Sequence, residues 1–273
     1  MSLITILGAS GFIGSNLVAE LQRRQAEYLA LRRDDQIPQQ NLGDVIYCIG
    51  VTADFRSKPF ETVDAHVCKL RDLLKDGLFE SLTYLSSTRV YANNVSLARE
   101  EDPISVAPAN ASDLYNISKA MGESLALNCG RNARVVRLAN VYGADIRSEN
   151  FLDTIIKDAI TTGKITINTS ANSVKDYVSI ADVVPALIEI AKRGRERIYN
   201  LASGISVSNG ELAAGLSKAT SCEVKFLENA AQVTFPPIAI DRLRTEFEFK
   251  PARVLDDLNG LVSVYRETIR EWE

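Results

Sequence analysis

The chain of 273 residues has few of the residues that build metal centres and hydrolytic triads. It contains one histidine, His66, and four cysteines, none of which forms a C-x-x-C pair. Zinc sites need clusters of such ligands, and a Ser-His-Asp triad needs a histidine beside its nucleophile. We therefore expect no metal site, and we expect the cysteines to be buried free thiols of a reducing compartment.

Long apolar runs and an excess of basic residues are also lacking. No stretch approaches the roughly 18 apolar residues that span a bilayer, and 31 basic against 35 acidic residues give a net charge of −4. Nucleic acids and anionic membranes attract proteins with a basic face, so we expect neither as a partner. The N-terminus lacks the positively charged region of a signal peptide. We therefore expect a cytoplasmic protein.

Short apolar runs alternate with stretches of helical spacing, which predicts a parallel, doubly wound α/β sheet. Strand-like runs lie at 3–7, 27–31, 44–51, 82–87, 134–143, 164–168 and 198–203. Helix-like stretches lie at 12–24, 59–76, 113–129, about 150–162, 180–193 and 254–271. Only residues 34–43 separate the second and third strands, so that edge of the sheet is expected to be trimmed. Ligands of such sheets bind at the carboxyl ends of the strands.

The first strand continues into the glycine-rich sequence GASGFIG, whose three glycines are three residues apart. Glycine permits a tight turn and lets the backbone approach a pyrophosphate, which the N–H groups of the following helix then bind. A plain turn with a packed glycine would have a similar sequence, but the position between a strand and a helix favours a dinucleotide site. The residues expected to bind the cofactor here are Gly8, Ser10, Gly11, Phe12, Ile13 and Gly14.

The end of the second strand indicates which dinucleotide binds. Arg32 and Arg33 are the first polar residues after it, and a guanidinium pairs well with the 2′-phosphate of NADP. An acidic residue would instead accept the ribose 2′-OH of NAD, and Asp34 or Asp35 could reach it. We expect NADP, with NAD as the alternative.

Tyr115 and Lys119 stand four residues apart in a helix-like stretch. Residues i and i+4 share one helix face, so the two side chains can act on one ligand. The Y-x-x-x-K pattern is common, however, and alone it is more often a surface tyrosine above a surface lysine.

Seven segments in one order resemble the extended short-chain dehydrogenases/reductases, specifically the NAD(P)-dependent sugar-nucleotide epimerase/dehydratase group. They are GASGFIG, YLSSTRVYA, EEDP upstream of YNISKAMGE, VVRLANVYG, KDYVSIADVV, YNLASG and FEFKPARVLDDLNGLVSVYRE. The resemblance covers nearly the whole chain and implies a Rossmann-like sheet with a small C-terminal substrate-binding lobe. The cofactor domain would comprise residues 1–145 and about 176–202, and the lobe about 146–175 and 203–273.

The resemblance also implies roles for single residues. Tyr115 would be the general acid/base, Lys119 would hold the nicotinamide ribose, and Ser87 would hydrogen-bond the reacting sugar oxygen. Ser86 and Thr88 are neighbours that could be mistaken for Ser87. The residues implied to contact the sugar or its diphosphate are Asn140, Asn150, Phe151 and Lys175.

The sequence departs from this group at three places. Thr88 and Arg89 stand where the dehydratase branch has an acidic pair that protonates the leaving hydroxyl, so dehydration is disfavoured. His66 replaces a usual asparagine, and we assign it no chemical role. The short segment between the second and third strands removes residues that normally border the adenine.

These features predict an NAD(P)-dependent oxidoreductase acting on a nucleotide-diphosphate sugar. The arginine pair favours a 4-ketoreductase, because a reductase uses fresh NADPH in each turnover whereas an epimerase recycles its hydride. An epimerase and a non-enzymatic NADP-binding regulator are the alternatives. The resemblance further implies a homodimer, with the helices at about 59–76 and 112–129 forming a four-helix interface.

Overall fold

The computed structural model describes residues 2–51, 54–94 and 96–272. The strands are, in chain order, β1 (Ile4–Leu7), β2 (Tyr28–Leu31), β3 (Asp44–Tyr47), β4 (Ser81–Ser87), β5 (Ala133–Leu138), β6 (Asn140–Tyr142), β7 (Lys164–Ile167), β8 (Val174–Ser179), β9 (Ile198–Leu201), β10 (Ser206–Ser208) and β11 (Glu223–Phe226). The α-helices are α1 (Phe12–Arg23), α2 (Pro59–Val63), α3 (Lys69–Asp76), α4 (Asp113–Asn128), α5 (Phe151–Thr161), α6 (Ile180–Arg193), α7 (Asn209–Thr220), α8 (Asp241–Phe247) and α9 (Val254–Trp272).

Six parallel strands form the central sheet, in the order β2-β1-β3-β4-β5-β9. Every residue of β1 and β3 is buried, as expected for parallel strands that are covered on both faces. α1 and α6 pack together on one face, where Leu17 and Leu187 join Ile46 in the core. α3 and α4 cover the other face, where Leu70 packs in the cluster of Val45. The predicted doubly wound α/β fold is therefore confirmed.

The sheet is trimmed at the β2 edge, as the sequence predicts. Between β2 and β3 the chain makes only an isolated bridge from Asn41 to Leu78. No further strand lies in this fully described linker, because its length does not allow a strand and a returning helix.

The helix expected at 59–76 is interrupted, which corrects that prediction. α2 ends at Val63, a π-helical turn occupies Asp64–Cys68, and α3 follows it. His66 lies in this turn and is fully buried. π-turns of this kind are frequent at functional sites because they redirect side chains out of the regular helical register.

The chain after β5 builds two small sheets and a separate core. β8 pairs with β6 and β10, and β11 pairs with β7. α5, α7 and α9 pack on one another around Ile156, Leu212 and Val262. The sequence predicted α5, β7 and α9, but it did not predict β8, β10, β11 or α7. Where the boundary between the cofactor domain and the lobe falls stays a prediction.

Within the part of the chain that the structure describes, no helix has both the length and the apolar character that crossing a bilayer requires. All four cysteines are free thiols, and Cys222 is buried.

Candidate active site

A cleft of about 680 Å³ opens at the carboxyl ends of the central strands. Its floor comes from the residues that follow β1, β3, β4 and β5, and its opposite wall from the start of α5 and from β8. Eleven of the predicted site residues line it: Gly11, Phe12, Ile13, Gly14, Ser87, Tyr115, Lys119, Asn140, Asn150, Phe151 and Lys175. Gly8, Ser10, Arg32 and Arg33 are not among its lining residues.

The glycine loop needs glycine at two positions. Gly8 has a φ of +88°, which side chains rarely tolerate, and a Cβ on Gly14 would lie 2.2 Å from the Gly8 carbonyl oxygen. The loop therefore holds the start of α1 tightly against the end of β1. Gly11 is the N-cap of α1 and offers no side-chain cap, so the first-turn N–H groups remain available to an anion such as a pyrophosphate.

The two arginines after β2 are exposed and have different partners. The Arg33 Nη2 donates to the Gly50 carbonyl oxygen at 2.6 Å. The Arg32 backbone N–H donates to the Asp35 carboxylate at 2.7 Å, and Lys69 binds the Asp34 carboxylate at 2.8 Å. Both acidic residues are thereby engaged within the protein.

Ser87 ends β4 and caps a 3₁₀ turn over Thr88–Tyr91. Its Oγ accepts a hydrogen bond from the Arg89 backbone N–H at 3.1 Å, which leaves the hydroxyl proton free to be donated. Ser87 and Tyr115, the latter on α4, both line the cleft. Burial raises the pKa of Tyr115, while the Ser87 hydroxyl and the charge of Arg89 oppose that rise.

Lys119 lies one turn after Tyr115 and is buried. Its Nζ donates to the Leu85 carbonyl oxygen at 2.8 Å and lies 5.9 Å from the centre of the Tyr115 ring. Burial lowers the pKa of Lys119 to about 7, although the charge of Glu123 opposes this shift. The amine therefore titrates near neutrality in the absence of a ligand.

Ser86 serves a different purpose from Ser87. Its Oγ donates to the Glu123 carboxylate at 2.5 Å, and that carboxylate forms a buried ion pair with Arg137 at 2.7 Å. Arg137 also hydrogen-bonds the Tyr91 hydroxyl. This network fixes α4 to the ends of β4 and β5, and so it fixes the position of Tyr115.

His66 joins the cofactor side of the cleft to α4. Its Nε2 accepts the Val51 backbone N–H at 3.2 Å, so Nδ1 carries the proton and faces the Ser118 Oγ at 2.8 Å. Its ring meets the Tyr115 ring edge-on at 5.3 Å. Burial lowers the pKa of His66 to about 2, so the imidazole is neutral, in keeping with a structural role.

The opposite wall carries the residues expected to contact the substrate. The Lys175 Nζ lies 5.1 Å from the centre of the Phe151 ring, and burial lowers the pKa of Lys175. Asn140 donates to the Asp176 carbonyl oxygen at 2.8 Å. Asn150 is the N-cap of α5 without a side-chain cap, so the first N–H groups of α5 are open.

Sequence reasoning missed an aromatic and cationic group beside Tyr115. Phe55 packs on Tyr115 with ring centres 5.4 Å apart, and Arg56 and Arg89 stack on Phe55 at 4.5 and 5.4 Å. The sequence identifies Arg89 only as a departure from the dehydratase branch, although its position two residues after Ser87 indicates a place in the cleft. No sequence signal places Phe55 or Arg56 in the cleft, because they come from a loop after β3.

The sequence model of one family, described as the NAD dependent epimerase/dehydratase family, matches residues 4–73 and 65–202. The chain belongs to this family. The resemblance noted in the sequence is thereby confirmed, and the protein is an enzyme of the extended short-chain dehydrogenase/reductase type with an NAD(P) cofactor.

The epimerase-family chain is similar to two curated reductases. It is 25% identical over 256 residues to dTDP-4-dehydro-6-deoxy-D-allose reductase of a Streptomyces species, covering 77% of this chain and 78% of that one. It is 24% identical over 306 residues to dTDP-4-dehydro-6-deoxyglucose reductase of Escherichia coli, covering 93% and 94%. Among solved structures, RMD from Pseudomonas aeruginosa complexed with NADPH has the same fold, with a TM-score of 0.80, 20% identity and coverage of 98% and 100%.

Proposed function

We propose that this enzyme reduces a nucleotide-linked 4-keto sugar with NADPH. One observation carries the proposal. Ser87 and Tyr115 share a cleft in which Arg89 stands beside them, at the place where the resemblance puts the acidic pair of dehydratases. A cation there favours charge development on a carbonyl oxygen over removal of a ring proton. The two curated reductases, whose names describe reduction of dTDP-4-dehydro sugars, support the same reaction.

In this reaction the bound cofactor supplies a hydride to the carbonyl carbon. Tyr115 donates its phenolic proton to the carbonyl oxygen, and Ser87 donates a hydrogen bond to that oxygen. The bond from the Arg89 N–H to Ser87 Oγ orients the serine for this donation. Lys119 holds the nicotinamide ribose from the floor of the cleft. The glycine loop and the open N-terminus of α1 fit the pyrophosphate.

The lobe, at about 146–175 and 203–273, would bind the nucleotide diphosphate. Lys175 is cationic and its amine has no hydrogen bond or ion pair with the described residues. Together with the open first turn of α5 and the Asn140 amide, it offers donors suited to a diphosphate. Phe151 supplies an apolar surface beside them.

Turnover stoichiometry tests the reaction. We would supply a nucleotide 4-keto-6-deoxy sugar with NADPH and follow the nicotinamide absorbance together with product formation. A reductase consumes one NADPH per product, and Tyr115→Phe should remove turnover while NADPH still binds. Interconversion of nucleotide-hexose stereoisomers without net cofactor consumption would show an epimerase instead. Bound NADPH with no turnover of any nucleotide sugar in a broad panel would favour the regulator.

The preference for NADPH rests on Arg32. Its side chain is exposed at the end of β2 and makes no hydrogen bond or ion pair within the described residues, whereas Asp34 and Asp35 are engaged. Calorimetry at fixed salt should show tighter binding of NADPH than of NADH. Arg32→Ala should remove most of the difference, and Arg71→Ala on α3 is the matched control. Equal affinities of the wild type would refute this assignment.

The homodimer is a further proposal. The helices expected at its interface expose apolar side chains: Phe60 is 86% exposed and Met121 is 51% exposed. A four-helix interface would bury both. Light scattering should show a dimer at micromolar concentration, and Phe60→Asp should shift it toward monomer. A wild type that is monomeric at this concentration contradicts the proposal.

A further inference from the structure

Arg89 lies in the cleft, and its side chain has no polar partner among the residues that the structure describes. Its Nε is buried and donates to no acceptor within residues 54–94 or the rest of the described chain. Its guanidinium makes no ion pair with a carboxylate of the described residues, whereas the buried Arg137 makes one with Glu123. Arg89 is placed only by the 3₁₀ turn after β4 and by the face of Phe55. A desolvated cation without an anion is costly, so its position calls for a role.

The proton donor of the proposed reaction lies beside this cation. The Arg89 Cζ lies 6.0 Å from the centre of the Tyr115 ring. The Lys119 Nζ lies 5.9 Å from the same centre, and the His66 and Tyr115 rings meet edge-on.

Other charged and titratable groups surround this pair. Arg56 stacks on Phe55, the charges of Arg56 and Lys175 repel that of Arg89, and Glu123 and Asp113 act on Lys119 and Arg89 respectively. Tyr84 is buried between Lys119 and Tyr47, and its pKa is raised well above the usual value.

We propose, on the basis of the function proposed above, that Arg89 is a positioning residue for the proton transfer, whose guanidinium stabilises the phenolate that reduction leaves on Tyr115. In that step the carbonyl π bond breaks, the carbonyl carbon gains a hydride, and the oxygen gains the proton of Tyr115. The O–H bond of Tyr115 breaks and its electron pair stays on the phenolate. A solvent proton restores the tyrosine before the next turnover.

Arg89 and Lys119 both lie near Tyr115, but they differ in how constantly they carry a positive charge. Burial brings the pKa of Lys119 down to about 7, so part of the enzyme population lacks the ammonium at neutral pH. An arginine stays protonated throughout the working range. Arg89 therefore supplies the constant positive charge, and it does so at nearly the same distance.

The test measures the ionisation of Tyr115 in the cofactor-free protein. Ultraviolet titration of the wild type minus Tyr115→Phe isolates the absorbance of this phenolate from that of the other tyrosines. One charge at about 6 Å and an effective dielectric constant of about 20 corresponds to roughly one to two pH units. We expect Arg89→Gln to move the Tyr115 titration upward by that amount, and Arg89→Lys to keep most of the wild-type position. Arg56→Gln, the matched control on the same phenylalanine, should move it far less.

Kinetics give a second readout. At high pH the rate of reduction should fall because Tyr115 loses its proton. The midpoint of this fall should rise by the same one to two pH units in Arg89→Gln, and Arg89→Lys should return the midpoint to the wild-type value. An unchanged Tyr115 titration in Arg89→Gln would overturn the proposal. So would a raised substrate KM with an unchanged pH profile, because Arg89 would then bind substrate. Should Arg89→Gln fail to fold, Arg89→Met gives a second uncharged variant. The titration needs no substrate, so it stands even if the enzyme proves not to be a ketoreductase.

Discussion

Lys119→Met should make the protein more stable while removing its activity. The ordinary pKa of a lysine, 10.5, falls to about 7 at this site because burial disfavours the ammonium. That shift of about 3.5 units corresponds to about 4 kcal/mol of lost folding free energy at pH 7. Methionine fills nearly the same volume without a charge. It gives up one hydrogen bond to Leu85, worth about 1 kcal/mol, so we expect a net gain of about 3 kcal/mol.

The stability difference between Lys119→Met and the wild type should depend on pH in a defined direction. Between pH 10.5 and 7 the unfolded chain binds the lysine proton and the folded chain does not. The stability of the wild type therefore falls as the pH is lowered through this window and levels off below about pH 7. Lys119→Met has no titrating amine at this site, so its stability does not fall in this way. The free energy of unfolding of Lys119→Met should therefore exceed that of the wild type by about 2.5 kcal/mol more at pH 7 than at pH 9.

Urea unfolding followed by circular dichroism at pH 9 and pH 7 measures both quantities. Lys192→Met, which removes an exposed lysine of α6, is the control and should change stability by less than about 0.5 kcal/mol at either pH. A Lys119→Met protein that is less stable than the wild type, or an advantage that does not change between the two pH values, would refute the reasoning.

Three further predictions concern residues that shape or support the candidate active site. Gly14→Ala would put a methyl group 2.2 Å from a backbone carbonyl oxygen; we expect a lowered melting temperature and at least tenfold weaker NADPH binding, measured by calorimetry. Glu123→Gln leaves Arg137 buried without its counter-ion and should cost about 3–5 kcal/mol in urea unfolding. Ser87→Ala should lower kcat about 100-fold, whereas Ser86→Ala should lower stability and leave kcat within a few fold; equal kinetic losses in both would contradict the assignment.

The sequence predicts the central sheet well because its elements are locally determined. β1 and β3 are short, fully buried and mostly apolar, and α1 carries Leu17 and Leu21 at helical spacing next to the glycine loop. The small sheets were missed for the opposite reason. β10 has only three residues and exists through pairing with β8, about thirty residues earlier in the chain. Such short strands are specified by tertiary contacts, which no local pattern reveals.

In the candidate site, too, some residues are predictable from the sequence and others depend on tertiary structure. The resemblance points to Ser87, Tyr115 and Lys119, and their proximity follows from β4 and α4 lying side by side. The orientation of Arg89 does not follow from its sequence position. It depends on the 3₁₀ turn that Ser87 caps, and on Phe55, which reaches the cleft from a loop. Likewise, no sequence signal marks the π turn that buries His66, because Val63, Val67 and Leu70 have the spacing of an ordinary helix across it.

The distribution of charge in the cleft supports the proposed reduction. Its buried carboxylates are occupied by the protein itself: Asp176 accepts hydrogen bonds from Ser203, Gly204 and Ile205, and Asp153 accepts one from Tyr265 at 2.6 Å. Among the described residues that line the cleft, Glu149 is the one exposed carboxylate.

The cations, in contrast, are left without carboxylate partners. Arg89 and Lys175 lie in the cleft without an ion pair to any described residue. The cleft therefore presents positive charge both to a diphosphate and to an oxygen that becomes negative during reaction. The acidic pair by which the dehydratase branch protonates the leaving hydroxyl is replaced here by Thr88 and Arg89, both of which line the cleft next to Ser87. Reduction needs no such acidic pair, because the electrons arrive as hydride and the only proton required comes from Tyr115.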